Sequence, residues 1–177
     1  EVYKIKKVVI DAGHGGKDPG AVGSFSYEKD IVLKMALKLG GYIEEKYPDI
    51  EVIYTRKTDK FVQLYKRAKI ANDAKADLFI SIHINGVNSS RAYGTETFAM
   101  GLDKSEANLA IAKKENAVIL KEENYEENYD FDPTSPESHI MFSMFQNAYL
   151  DQSLKLASLV QDQFTNRVGR KNRGVKQ

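Results

Sequence analysis

Lys7-Val8-Val9-Ile10-Asp11 opens directly into Ala12-Gly13-His14-Gly15-Gly16-Lys17-Asp18-Pro19-Gly20. A short unbroken apolar run that ends in glycines reads as a buried strand of a parallel sheet, with its carboxyl end at a tight loop. Outward from it, the spacing predicts a helix from about Tyr27 to Tyr47, with Val32, Met35, Ala36, Leu39 and Ile43 on one face. Pro48-Asp49 ends it, and Glu51-Val52-Ile53-Tyr54-Thr55 is a second strand. A second helix is predicted from about Val62 to Lys75, with Leu64, Ala68 and Ala71 inward, followed by Leu78-Phe79-Ile80-Ser81-Ile82-His83-Ile84-Asn85 as the clearest central strand. Gly94 to Met100 reads as another strand, and Leu150 to Val168 as a last helix with Leu156, Val160 and Phe164 at four-residue spacing. Strands alternating with helices imply an α/β fold, a mainly parallel sheet with helices on both faces.

The 177 residues suit a single domain with one sizeable core, 1–177. With 42% hydrophobic and 29% charged residues the composition is that of globular protein, and a net charge of +1 offers no global attraction to nucleic acid or acidic membranes. There is no cysteine, so disulfides and thiolate metal sites are excluded and any metal must be held by His, Asp or Glu. No apolar run approaches the roughly 18 residues of a membrane span. The chain opens Glu1-Val2-Tyr3-Lys4 with no signal-peptide pattern, which reads as a processed or engineered end, and a secretion signal removed earlier is compatible with it.

Residues from about 102 to 150 differ in character. Ser105 to Leu120 has helical spacing, and Glu115 to Asp132 holds seven acidic residues against one lysine. Pro133 and Pro136 follow, and the end, Arg167 to Gln177, has five basic residues and no acidic one, which reads as a loop. A solvated acidic loop is the plain reading of the acidic run. His139 has no partner motif and reads as a surface or packing residue.

Three residues carry chemistry. His14 lies just past the carboxyl end of the first strand, where open α/β sheets place ligands, and its flanking glycines leave room around the imidazole. A nucleotide loop is a poor match: Asp18 stands where the third glycine of the dinucleotide fingerprint belongs, and Lys17 is followed by Asp18 rather than Ser or Thr. Glu28 opens the first helix, where an acid commonly serves the helix dipole. In the strand of His83, Ile80, Ile82 and Ile84 point one way while Phe79, Ser81, His83 and Asn85 point the other, so one face is aliphatic and the other turns polar toward its end. Two imidazoles and one carboxylate are the ligand set of a catalytic zinc with a fourth position open to water.

The stretch Val8 to Ala21, then Glu28-Lys29-Asp30, Thr55-Arg56, Arg67, Ala71-Asn72 and Ser81-Ile82-His83-Ile84-Asn85, resembles the zinc-dependent N-acetylmuramoyl-L-alanine amidases. The likeness runs in order over residues 7 to 99 and resumes over the final helix. It implies a twisted, mainly parallel sheet of about six strands. It implies one Zn2+ per chain on His14, Glu28 and His83, and hydrolysis of the bond between the lactyl group of N-acetylmuramic acid and the L-alanine of the stem peptide. Peptidoglycan as substrate implies the cell envelope, periplasmic or extracellular. The family's general-base glutamate sits on a further strand, and no Glu or Asp follows Asp162, so no catalytic glutamate is assigned and little activity is expected of these residues alone. Some division amidases of the family carry an inserted helix over the zinc until a protein activator moves it. Lys113-Lys114-Glu115-Asn116 and Tyr149-Leu150-Asp151-Gln152-Ser153 resemble the borders of that insert, which makes Glu122, Glu123, Glu126 and Glu127 candidates for an autoinhibitory ligand. Two alternatives share the ligand set: a zinc peptidase acting on the stem peptide, and a peptidoglycan-binding module that keeps zinc without catalysis.

Overall fold

A computed structural model describes residues 4–86, 91–100, 117–122 and 149–176. Among these the chain forms two compact units, Glu1–Gly86 and Val87–Gln177.

In the first unit, strand β1 (Lys7–Ala12) is central, with β2 (Glu51–Tyr54) on one side and β3 (Leu78–Ile82) on the other, all parallel. Val8 pairs in register with Val52 and Leu78, and Ile10 with Tyr54 and Ile80. Position in the sheet explains the unbroken apolar run: both edges of β1 are paired and both faces covered, so Val8, Val9, Ile10 and Ala12 are all buried. Burial of each Val or Ile contributes about 1.5–3 kcal/mol. Helix α1 (Glu28–Lys46) sets Val32 and Ala36 against Val8, Ile10 and Ala12, with Leu39 and Ile43 packed at the margin. Met35, expected on that face, is 43% exposed. On the opposite face, helix α2 (Leu64–Asp73) reaches Asp11 through Arg67. The buried residue of α2 is this arginine, while Ala68, expected inward, is exposed.

The second unit contains β4 (Thr95–Phe98), a short 3-10 helix (Ala117–Lys121), helix α3 (Leu150–Asn166) and β5 (Asn172–Lys176). β4 and β5 form a parallel two-stranded ladder with a register shift between Thr95 and Thr97. The expectation of one sheet of about six strands is therefore corrected: the main sheet has three strands, and the described residues hold five in two ladders. β4 takes β5 as its partner, through hydrogen bonds such as the Ala99 amide to the Lys176 carbonyl (2.8 Å). The basic end, expected to be a loop, is that strand. Its pairing is set from outside by Gln161 of α3, whose Nε2 donates to the Thr95 carbonyl (2.8 Å) and the Gly174 carbonyl (2.9 Å). Gln161 and Ala157 are the buried residues of α3, one position on from the expected Leu156–Val160 stripe. The expected helix over Ser105 to Leu120 falls mostly outside the described residues.

Candidate metal centre

The centre is built where β1 ends. His14 takes φ +59°, a left-handed conformation that costs a non-glycine residue roughly 1–2 kcal/mol. Two buried arginines hold the backbone there. Arg56 donates from Nε to the Ala12 carbonyl (2.9 Å) and from Nη2 to the carbonyls of Gly13 (2.7 Å) and Lys29 (2.8 Å). Arg67 donates from Nη1 to the Ala12 carbonyl (2.8 Å) and from Nη2 to the His14 carbonyl (2.7 Å). Three consecutive carbonyls, those of Ala12, Gly13 and His14, are thus turned onto guanidinium groups, each such charge-assisted bond contributing about 1.5–3 kcal/mol. Burial holds the Arg56 pKa below its ordinary value, and the nearby Arg67 charge adds to this, but a guanidinium remains charged at any physiological pH.

Arg67 is itself anchored by Asp11, whose Oδ1 accepts from Nη1 (2.6 Å) and from the Thr55 hydroxyl (2.6 Å), while Oδ2 accepts from the Ser81 hydroxyl (2.7 Å). Burial opposes charge on Asp11, yet Arg67 and the hydroxyl donors outweigh it and its pKa lies below the usual value. β1, β2, α2 and β3 are therefore tied together by one satisfied polar network directly beneath the His14 loop.

Glu28, the first residue of α1, does not act as a helix cap. Its carboxylate turns back: Oε2 accepts from the Ala21 amide (2.8 Å) and Oε1 from the Ile84 amide (2.6 Å). His83 stands just beyond β3, which ends at Ile82, and is exposed, on the side that the strand pattern marked as turning polar. The three side chains meet. His14 Nε2 is 3.1 Å from Glu28 Oε1 and 3.1 Å from His83 Nδ1, and His83 Nδ1 is 3.3 Å from Glu28 Oε1. The imidazoles are edge to face at 76°. Among the described residues these three form the group whose atoms could hold a metal ion.

The donor set fits zinc. With Zn–N and Zn–O arms of roughly 2.0–2.2 Å at tetrahedral angles, ligand atoms lie about 3.3–3.5 Å apart, and the observed triangle is within a few tenths of that. Charge fits as well: burial would raise the Glu28 pKa, but hydrogen bonds from His14, His83 and the two amides outweigh it and keep the carboxyl ionised well below the usual range. For His14, burial opposes the charged form, while Glu28 and Asp18 together raise its pKa above the ordinary value.

Two features were not legible from the motif. Asp18, buried, places Oδ2 2.7 Å from His14 Nδ1. When the ring loses its second proton to a metal, Asp18 would keep the remaining one on Nδ1 and leave the Nε2 lone pair for the ion, as a carboxylate behind a metal-bound histidine does. Its sequence signal was its place four residues after His14 in the same loop. The other feature is packing: a Cβ on Gly13 would lie 2.4 Å from His83 Cε1, and one on Gly20 would lie 2.6 Å from His14 Cδ2 and 2.8 Å from Glu28 Oε2. These glycines let the backbone touch the side chains of the triangle.

A model of the N-acetylmuramoyl-L-alanine amidase family matches residues 8–177. The chain belongs to that family. It is 33% identical over 172 residues to the N-acetylmuramoyl-L-alanine amidase AmiC of Escherichia coli O6:H1, covering 94% of this chain and 38% of that protein. It is 47% identical over 90 residues to the endolysin of Bacillus phage SPP1, covering 51% of this chain and 33% of that protein. The chain thus spans well under half the length of these relatives. Among solved structures it is similar to an N-acetylmuramoyl-L-alanine amidase from Clostridium difficile 630, with a TM-score of 0.65 and 28% identity over 98% of this chain and 69% of that one. The catalytic domain of the amidase CwlV from Bacillus (Paenibacillus) polymyxa matches with a TM-score of 0.53 and 31% identity, over 94% of this chain and 100% of that one.

Of the acidic residues singled out in the insertion, Glu122 is described: it is buried and its amide donates to the Ile119 carbonyl (2.9 Å). Glu123, Glu126, Glu127 and His139 lie outside the described residues. No described helix is long and apolar enough to cross a membrane.

Proposed function

We propose that this chain is a zinc-dependent hydrolase domain that cleaves the amide bond between N-acetylmuramic acid and the L-alanine of the peptidoglycan stem peptide. The observation that carries the reading is the His14–Glu28–His83 triangle, with ligand-atom separations of 3.1, 3.1 and 3.3 Å. On this reading His14 Nε2, Glu28 Oε1 and His83 Nδ1 hold one Zn2+, Asp18 orients His14, and the amides of Ala21 and Ile84 orient Glu28. Bound zinc supplies a water acidified to a pKa of about 7 and a Lewis acid for the amide carbonyl. With Glu28 as an anion and both imidazoles neutral, these residues would leave net positive charge on a bound zinc, which would favour an anionic oxygen at its open position. Residues 1–177 form the catalytic domain, with the acidic insertion at about 102–150.

Peptidoglycan as substrate places the protein in the cell envelope, periplasmic or extracellular. The acidic run from Glu115 to Asp132 supports a second element of the same proposal: a carboxylate among Glu122, Glu123, Glu126 and Glu127 occupies the open metal position until a protein activator withdraws it. Removing residues 120–132 then raises turnover, and unchanged turnover would rule the plug out.

Two measurements test the main reading. Elemental analysis should find one zinc per chain, lost in His14→Ala and His83→Ala, and full retention in His83→Ala would sink the ligand assignment. Digestion of purified peptidoglycan by a chain extended to include the strand with the family's glutamate should produce new alanine amino termini and intact stem peptides. Free amino acids in place of them would identify a peptidase, and zinc binding with no product of either kind a binding module.

A further inference from the structure

Between Gly20 and Glu28 the chain makes a hairpin whose base is the candidate metal ligand itself. The Glu28 amide donates to the Ala21 carbonyl (2.9 Å), and the Ala21 amide returns a bond to Glu28 Oε2 (2.8 Å). One rung outward Val22 and Tyr27 pair antiparallel, and the Gly23 amide closes the turn on the Ser26 carbonyl at 2.9 Å. Phe25 at the tip is 101% exposed, Val22 68% and Tyr27 47%. Together with Asp30 these residues line a shallow hollow.

A ring wholly in water contributes nothing to folding, and three exposed apolar side chains together on a hydrogen-bonded turn mark a contact surface rather than scattered exposure. The nature of the contact follows from charge. Pro19 to Tyr27 contains no charged residue, and its tip alternates hydroxyl and aromatic side chains, Ser24-Phe25-Ser26-Tyr27. The other side of the His14 loop is different. Gly15 and Gly16 lie against the backbone of Lys60 and Phe61, the Lys17 ammonium sits 4.9 Å from the Phe61 ring centroid, and that of Lys57 4.7 Å from the Tyr54 ring. A sugar joined to a peptide through an amide has one neutral end, with C–H faces rimmed by hydroxyls, and one end that carries carboxylates.

We infer that the 22–27 hairpin is a platform for the glycan side of the substrate, with Phe25 and Tyr27 stacking on pyranose faces and Ser24, Ser26 and Asp30 meeting ring hydroxyls. The lysine-bearing edge of residues 57–60 is left for the stem peptide. This rests on the proposed amidase reading, because only an amide between sugar and peptide calls for two such edges at one metal. Two residues, Ser26 and Tyr27, lie between Phe25 and Glu28, so the ring stands beside the candidate metal ligand without being part of the triangle.

The test uses a neutral β-1,4-linked N-acetylglucosamine tetrasaccharide and a soluble stem peptide as separate probes, titrated against the zinc-loaded wild type, Phe25→Ala and Phe25→Trp. Phe25→Ala should bind the tetrasaccharide ~2- to 10-fold more weakly, the contribution of one aromatic contact. Phe25→Trp should retain it, and stem-peptide affinity and zinc content should not change. Unchanged tetrasaccharide affinity in Phe25→Ala, absence of saccharide binding by the wild type, or a loss that appears in the peptide titration overturns the platform while zinc and the alanine product leave the amidase reading standing. A wild type that binds no zinc and releases no alanine termini overturns both.

Discussion

Gly13→Ala isolates the metal centre from the fold. Gly13 does not have positive φ, so an alanine backbone is acceptable there. Its amide bond to the Ile82 carbonyl (3.1 Å) and its carbonyl bond from Arg56 (2.7 Å) do not involve the side chain. The new methyl would lie 2.4, 2.5 and 2.8 Å from Cε1, Nε2 and Nδ1 of His83. Carbon contacts settle near 3.5–4.0 Å, so the imidazole must retreat by about 1 Å or rotate. The ring belongs to an exposed side chain, so that retreat costs folding less than about 1 kcal/mol. Metal ligands are held within about 0.2 Å of their preferred distances, so a retreat of that size removes His83 from the triangle. Loss of a direct ligand exceeds the ~10- to 100-fold effect of losing an orienting residue, which sets a floor of about 2.7 kcal/mol on the drop in zinc affinity. Competition titration against a chelator reads the affinity, and a melt of the metal-free chain reads the fold. A double-mutant cycle sharpens the test, since Gly13→Ala should add no further loss in a His83→Ala background. Wild-type zinc affinity in Gly13→Ala, or a second independent loss in the double variant, would refute the contact between this glycine and a working ligand.

Asp18→Asn should weaken zinc ~10- to 100-fold in a folded chain, because the amide no longer fixes the His14 tautomer by charge; chelator competition at wild-type strength would dismiss this role. Arg67→Met leaves Asp11 charged and buried without its ion pair, and should destabilise the chain by about 3–5 kcal/mol in denaturant unfolding; a change near zero would contradict the network. The metal-free chain should lose stability in acid. Asp11 and Glu28 have pKa values depressed in the native state, so their contribution is present above their ordinary values of 3.8 and 4.5 and disappears as pH falls through the native ones. His14 works in the opposite sense: its pKa is raised, so its contribution is full below the ordinary 6.5 and lost as pH rises through the native value. Zinc competes for that same nitrogen, so zinc affinity should climb over the range in which the proton leaves, and a pH-independent affinity would exclude His14 as ligand.

Much of the frame is legible in side-chain period. Val8-Val9-Ile10 announces a strand covered on both faces, and Ile80, Ile82 and Ile84 do pack on the core while Ser81 turns to Asp11 and His83 to the metal triangle. Period fails where the buried residue is polar. The buried polar positions of α2 and α3 are Arg67 and Gln161, and no apolar period in their own helices marks them. Their burial is licensed by acceptors distant in sequence: carbonyls of Ala12 and His14 for one, of Thr95 and Gly174 for the other. β5 is illegible for the same reason, since Asn172-Arg173-Gly174-Val175-Lys176 has no apolar alternation. Its place is set by Gln161 and by Glu96 of β4, whose carboxylate meets both Arg173 and Lys176.

The arginines also explain physically why a glycine-rich loop at the end of a first strand need not be a phosphate cradle. Anion loops work by turning successive amide N–H groups toward the ligand. Here Ala12, Gly13 and His14 instead direct their carbonyls onto Arg56 and Arg67, beneath the loop. The amide of Gly13 is committed to Ile82, that of Gly15 to Asp18 and that of Gly16 to the Asp59 carboxylate. Those three donors are already engaged, and what the loop offers outward is an imidazole backed by a carboxylate, an arrangement that suits a cation better than an anion. Residues 56 and 67 therefore decide the chemistry of a loop they do not belong to. The replacement of a third glycine by Asp18 is the visible trace of that choice in the loop's own sequence.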